Sequence, residues 1–328
     1  MGSKVVICGA GFLGSNIAKA LTIGTSGSNI FHRVQLSSRS PQRTYDELRP
    51  LLNPEQLLPP VAADVTKPDS LKNAFKDADL VVSLVGVMNG SVEDFNRIQW
   101  KGAENVAKAA KDAGARLVHF SAIGADPHSS IPYARTKALG EAAVLDVYPQ
   151  ATIIRPSLVF GPGDGFFLRF GKLSQVLPFL PVFGGGTSRF QPVFVGDIAR
   201  AVEIIARDDE QVRNAVQGKV LEAGGPEVFT YRQLMDIVLQ YTERERPVLS
   251  LPFALGATQG FVMEQLPVNL FTVTRAQVEQ LKSDNIVNPS PPANHASFKD
   301  LVERNSESPL KSVHEILPTY LKDSSSVF

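Results

Sequence analysis

The chain has almost no cysteine, no surplus of charge and no long uncharged apolar run, and each shortage removes a class of protein. One cysteine, Cys8, stands among 328 residues. A single thiol closes no intrachain disulfide, and no zinc site can rest on thiolates. Lys and Arg total 33 and Asp and Glu total 33, giving a formal net charge of zero. That balance leaves no basic face for a nucleic acid. No segment reaches the roughly eighteen apolar residues of a membrane span. The uncharged stretch Leu173 to Ser188 is broken by Pro178, Pro181 and three glycines. Among His32, His119, His128, His295 and His314 no pair has metal-ligand spacing, so no metal site is expected. No internal repeat is visible. The first strand starts near residue 4, so no cleavable presequence is expected ahead of it in this numbering.

What is present begins at once. Val5, Val6 and Ile7 are consecutive β-branched residues, suited to a strand buried on both faces. Gly9, Gly11 and Gly14 follow as G-x-G-x-x-G, and Ser15 to Leu21 has a helical pattern. The first glycine permits the tight turn, the second lets a pyrophosphate approach the backbone, and the third lets helix and strand pack closely. Phe12 and Leu13 belong to the same cradle. The new helix turns free N–H groups and a partial positive charge toward the phosphates. A strand before the glycines and a helix after them is the context that makes this motif a dinucleotide site.

A loop over Gly24 to Asn29 leads to a second strand beginning at Arg33. Its end decides the cofactor, since NAD sites place an acid there to hold the ribose 2′-hydroxyl. Here the exit is Ser37, Ser38, Arg39 and Ser40, with Arg43 nearby. A guanidinium among hydroxyls suits a 2′-phosphate, which favours NADP(H) over NAD(H). Val61 to Val65 reads as a third strand ending in Asp64. That carboxylate can accept from the adenine amino group, with the Val65 backbone beside it. Leu80 to Gly86 is a fourth, buried strand ending in a glycine near the cofactor. Ser91 and Asp94 form a capping-box variant. A long amphipathic helix follows to Ala113, its inner face Ala103, Val106, Ala107 and Ala110. Arg116 to Ser121 is a fifth strand, Tyr133 to about Val147 a helix, and Ala151 to Arg155 a sixth strand. The alternation predicts an α/β fold, a Rossmann-type doubly wound parallel sheet, with a smaller C-terminal lobe.

The expected division is a dinucleotide-binding core over 1–160, completed by about 190–225. A small substrate or partner lobe takes 161–189 and 226–288. An Asn/Pro/Ser-rich tail, 289–328, is expected to be loosely held. Phe166, Phe167, Phe170, Phe179 and Phe183 give the lobe an aromatic texture; ordinary core is the plainer reading of most of them. Asp164 reads as a turn residue, Asp197 as the cap of a helix over 198–206, and Arg155 as a tie from the sheet edge to the lobe. An exposed apolar patch near 166–183 or 251–270 would mark docking to a partner or membrane surface.

Ser121, Tyr133 and Lys137 are the candidate catalytic group. Tyr133 and Lys137 share one helix face. A cationic lysine beside a phenol lowers its pKa from about 10. The phenol could then exchange a proton with a substrate while the nicotinamide exchanges hydride. A binding role alone, holding the nicotinamide ribose, remains open beside it.

These motifs resemble the extended or atypical short-chain dehydrogenase/reductases. The residues that carry the resemblance are Gly9 to Gly14, Asp64, Ser121, Tyr133, Lys137, Arg155-Pro-Ser157 and Pro192 to Asp197. In most extended dehydrogenases the first glycine stands one residue earlier, where this chain has Cys8. Three runs, His119 to Asp126, Phe190 to Asp197 and Leu281 to Asn285, are similar to the complex I accessory-subunit branch. That branch also includes fungal proteins linked to coenzyme Q biosynthesis. The resemblance implies a mitochondrial location, on the matrix side and peripheral to the inner membrane. It implies a partner in a membrane-associated complex, a nucleotide that is largely structural, or else turnover of a hydrophobic quinone-like ligand.

Overall fold

In the computed structural model, residues 2–24, 31–267, 269–306 and 308–322 are described. Beyond Gly24, the loop expected to Asn29 lies outside them. The chain forms two compact units. The first is Met1–Pro156 with Val195–Ala223 and Asn288–Leu310, and the second is Ser157–Phe194 with Gly224–Val287 and Lys311–Phe328.

The first unit is built on eight strands: β1 (Lys4–Cys8), β2 (Arg33–Ser38), β3 (Leu57–Ala62), β4 (Leu80–Ser83), β5 (Arg116–Phe120), β6 (Thr152–Pro156), β7 (Val220–Ala223) and β8 (His295–Ser297). They pair in the order β8-β7-β6-β5-β4-β1-β2-β3. Every pairing is parallel. Crossovers run one way from β1 to β3 and the other way from β4, so the sheet reverses between β1 and β4, where such sheets hold ligands. Val5, Val6 and Ile7 are wholly buried. On one face Val6, Val81, Leu117 and Ile153 meet Ala103, Val106, Ala107 and Ala110 of the helix Gly102–Asp112. The alanine face lets that helix lie close to the sheet, as its pattern predicted. Each fully buried Val, Leu or Ile contributes about 1.5–3 kcal/mol.

Three expectations need correction. The third strand is Leu57–Ala62, upstream of the predicted 61–65, and it contains Pro59 and Pro60. It is the sheet's edge, where proline is tolerated, and its register with β2 shifts at that point. The long helix is not uniform: after the Ser91–Asp94 capping box, residues Asn96–Lys101 form a π-helical turn. The segment expected to be a loose tail supplies β8, paired with β7, and the helix Phe298–Ser306, with Phe298, Leu301 and Val302 buried. Its later part belongs to the second unit, where the Tyr320 hydroxyl donates to Asp164.

In the second unit, Phe160, Phe167, Phe170, Leu180, Leu234 and Leu317 form the core, so most of the phenylalanines are packing residues. Asp164 caps the helix Phe167–Val176, accepting from the N–H groups of Phe166 (2.8 Å) and Phe167 (2.6 Å). The helix Phe253–Met263 is built the other way round. Only Gly256 and Gly260 are buried on it, while Leu255, Phe261 and Val262 are exposed, as are Leu266 and Phe271 beyond it. A Cβ on Gly256 would come within 2.7 Å of Phe183, and one on Gly260 within 2.6 Å of the Arg275 nitrogen. Close packing through the glycines thus leaves the large apolar groups outside. Among the described residues no helix is long and apolar enough to cross a membrane.

Two histidines of the first unit resist protonation. His32 is wholly buried with neither ring nitrogen hydrogen-bonded. Burial lowers its pKa, with Glu203 opposing and Arg116 and Arg207 reinforcing. His119, a core residue as expected, shares a 3.1 Å hydrogen bond with Ser83 Oγ, and burial lowers its pKa to about 3. Below the ordinary histidine pKa the unfolded chain takes up protons that these rings refuse. Stability therefore falls as pH drops from about 6.5 toward the lowered values. The slope of urea-unfolding free energy against pH is expected to be shallower in His32→Leu than in the wild type.

Candidate functional site

The glycine turn sits at the sheet's reversal and is stitched to both neighbours. Gly9 N–H donates to Ser37 O (2.8 Å) and Leu84 N–H to Cys8 O (2.9 Å). Gly9 has φ +135°, which only glycine adopts readily. A Cβ on Gly14 would lie 2.0 Å from Gly9 O, so the helix Phe12–Ile23 meets the turn as closely as the motif requires. A Cβ on Gly11 would meet nothing within 4 Å. The backbone is therefore bare on the side from which a pyrophosphate would approach. Cys8 is buried, and burial raises its thiol to about 12, so it behaves as a small apolar residue.

A cleft opens beside the turn, lined by residues that include Gly9, Ser38, Arg39, Asp64, Val65 and Gly86. Six of the predicted cofactor residues are thus brought together, beside the glycine turn that holds Gly11, Phe12, Leu13 and Gly14. Arg39 is exposed and has no ion pair among the described residues. Arg43 instead pairs with Glu47 at 3.0 Å. Asp64 Oδ1 accepts from Thr66 N–H (2.9 Å) and Thr66 Oγ1 (2.8 Å), which holds the carboxylate below its usual range, burial opposing. Its other oxygen stays an acceptor. Asn105 Nδ2 fixes the Val65 carbonyl at 2.9 Å.

The helix Pro132–Val147 brings Tyr133 and Lys137 to the same end of the sheet. Lys137 is buried and spends its ammonium on two carbonyls, Val85 O (2.9 Å) and Phe120 O (3.1 Å). Burial lowers its pKa to about 8, Glu141 opposing. A Cβ on Gly86 would stand 3.1 Å from Lys137 Nζ, so a larger residue there would crowd the lysine. Tyr133 packs edge-on against Phe95. Desolvation pushes its phenol up to about 12, the reverse of the shift expected from a lysine neighbour. Ser121 is buried and its Oγ has no hydrogen-bond partner.

One residue here gave no sequence signal. Gln99, on the π-helical turn, is buried; its Nε2 donates to Thr136 Oγ1 at 3.1 Å, but its Oε1 is unpartnered. That oxygen would lie 3.4 Å from a Cβ on Gly86. Two buried polar atoms, Ser121 Oγ and Gln99 Oε1, thus await a partner, which costs about 1–3 kcal/mol each unless a ligand supplies it. Together with the bare Gly11 backbone they fit a dinucleotide.

Arg155 props the same helix within this unit, where a tie to the lobe was expected. Its guanidinium grips Glu141 through two bonds of 2.8 and 2.6 Å and lies 3.6 Å from Glu222. Burial opposes its charge, but the two carboxylates more than offset this and its pKa is raised. Asp197 lies inside the first turn of the helix Val195–Ala206, not at its cap, and pairs with Arg200.

Comparison with known proteins agrees with this geometry. The NAD dependent epimerase/dehydratase family profile matches residues 5–222. The chain is 31% identical over 293 residues to the mitochondrial NADH dehydrogenase [ubiquinone] 1 alpha subcomplex subunit 9 of Arabidopsis thaliana, covering 84% of this chain and 69% of that one. It is 35% identical over 148 residues to a ceramide reductase of Caulobacter vibrioides, covering 45% of this chain and 46% of that one. Among solved structures, the Citrobacter sp. triphenylmethane reductase complexed with NADP(H) superposes with a TM-score of 0.69 at 17% identity, covering 98% of this chain and 99% of that one. At that identity the likeness speaks for the fold.

Proposed function

The chain belongs to the NAD dependent epimerase/dehydratase family, and from that membership we propose that it holds NADP(H) as a structural ligand within a mitochondrial assembly of the respiratory complex I or coenzyme Q type. The Tyr133–Lys137 pair carries this reading. A working acid–base pair would have the lysine drawing the phenol toward neutral pH. Here the phenol is shifted to about 12 and the ammonium is tied to two backbone carbonyls. Such a pair holds a ribose better than it moves a proton.

A nicotinamide nucleotide supplies a hydride donor or acceptor when bound. In this reading the chain's own residues do the gripping. The turn at Gly9, Gly11 and Gly14, with Phe12 and Leu13, receives the pyrophosphate. Ser38 and Arg39 take the 2′-phosphate, since no carboxylate stands there to repel it. Asp64 and Val65 take the adenine, and Gly86, Tyr133 and Lys137 the nicotinamide ribose. The mitochondrial setting is drawn from the Arabidopsis relative. Docking to a membrane-associated complex is supported by the exposed Leu255, Phe261, Val262, Leu266 and Phe271.

The second reading, an NADP(H)-dependent oxidoreductase on a hydrophobic, quinone-like substrate, is favoured by the unpartnered Ser121 Oγ and the similarity to a ceramide reductase. One experiment separates the two. NADPH at a hundred times its Kd should stabilise the protein by about 2.7 kcal/mol. Absorbance at 340 nm should stay constant with quinone and ketone acceptors. Steady oxidation that Tyr133→Phe abolishes would overturn the structural-ligand reading.

A further inference from the structure

The adenine end of the cleft carries more positive charge than Arg39 alone supplies. Of the residues lining it, the charged ones are Arg39, Asp64 and Arg97. Arg97 comes from a different element, the π-helical turn Asn96–Lys101 that follows β4. We propose that Arg97 is a second, specificity-determining guanidinium that binds the 2′-phosphate of the adenine nucleotide together with Arg39. This rests on the reading of the cleft as an NADP(H) site and assigns that site a residue on the helical wall.

Three observations carry it. The first is charge. A phosphate monoester carries about −1.5 to −2 at neutral pH, more than one guanidinium neutralises. Asp64 is ionised in the same cleft, so Arg39 alone would leave the phosphate facing a net neutral wall. With Arg97 the charged side chains lining the cleft sum to net positive, its exposed ion pair with Asp94 offsetting part of that charge.

The second is preorganisation. Arg97 Nη2 donates to Asp94 Oδ1 at 3.0 Å. Asp94 Oδ2 is in turn fixed by Ser91 N–H (3.2 Å) and Ser91 Oγ (2.8 Å) in the capping box. The stem is thus steered by the helix's own N-terminus. That ion pair is exposed on both sides, at 56% and 41%, and such pairs are weak. Among the described residues the guanidinium makes no other hydrogen bond, and a guanidinium has five N–H groups to offer.

The third is the backbone. A π-helical turn inside an α-helix is rare and gathers at functional sites. Here it places Arg97 and Ile98 on the cleft and Gln99 beside Lys137. Two successive side chains therefore line the cleft, and the next lies beside Gly86, which lines it too.

The test uses the full chain and calorimetric titration with three probes: NADPH, NADH and adenosine 2′,5′-bisphosphate. Trp100, the sole tryptophan, lies three residues from Arg97 and gives an independent energy-transfer signal to the reduced nicotinamide. Arg97→Gln should weaken NADPH and the bisphosphate about tenfold and leave NADH within twofold. Arg97→Lys should recover part of the loss. Equal losses for NADPH and NADH would place Arg97 on a part common to both and overturn the proposal. Unchanged affinity for all three would do the same. A wild type that binds NADH but not NADPH overturns this proposal and leaves a nucleotide site standing, whereas one that binds neither removes the functional reading as well. Arg97 is a surface residue, so a melting temperature within about a degree of wild type is expected for both variants.

Discussion

Gly11→Val should leave the fold standing and lower NADPH affinity about thirtyfold. Gly11 is the N-cap of the first helix, with φ −110° and ψ −159°, a conformation open to any residue. The added side chain enters empty space in the nucleotide-free protein. The intrinsic cost is the poorer cap, about 1 kcal/mol. In the complex the same atoms occupy the path of the pyrophosphate. Overpacking costs about 1–3 kcal/mol, and about 2 kcal/mol corresponds to thirtyfold. Gly14→Ala makes the contrast. Its Cβ would sit 2.0 Å from Gly9 O, so the turn itself must open. Stability and binding should then be lost together. Melting without nucleotide, followed by calorimetric titration, reads both variants. Wild-type affinity in Gly11→Val would show that no pyrophosphate rests on this turn.

The second large effect is expected at Arg155. Glu141 is only 5% exposed and depends on a two-pronged grip from that guanidinium. Arg155→Leu strands the carboxylate in the interior, and breaking a buried pair in this way costs about 3–5 kcal/mol. Adding Glu141→Leu should restore part of the loss, because the two apolar groups need no partner while Glu222 is still left without its guanidinium. Urea unfolding of the single and double variants gives the numbers. A loss below 1 kcal/mol for the single variant would mean that water already reaches Glu141. Glu141 stands one turn beyond Lys137, so the same pair also steadies the helix that presents Tyr133 and Lys137.

What could be read from the residues was what is local. Val5-Val6-Ile7 and the glycine spacing state a strand and a turn within eleven residues, and the turn is where they put it. The expected cofactor residues after β2, β3 and β4 come to one cleft by the same logic, because such strands end at one rim of the sheet. The third strand was misplaced because Pro59 and Pro60 read as a break, and only an edge position makes them acceptable. The π-helical turn has no sequence signature, so Arg97 on the cleft and Gln99 beside Gly86 went unnoticed. The segment after Asn285 looked loose because its composition is that of a linker. Its order comes from partners far away in sequence: β7 for His295–Ser297, and Asp164, 156 residues upstream, for Tyr320. The direction of the Tyr133 shift was hidden for a related reason. Spacing brings a lysine near a phenol but does not reveal the burial that raises the phenol.

The paired prolines of β3 also bear on how copies of this molecule can meet. A strand joining at a border needs a row of N–H donors, and proline has none. With an outward donor removed by proline and a slipped register, that flank is a poor template for a neighbour's backbone. Growth of the large sheet into fibrils or strand-swapped pairs is disfavoured on that side, which leaves the three-residue strand on the opposite flank as its more open border.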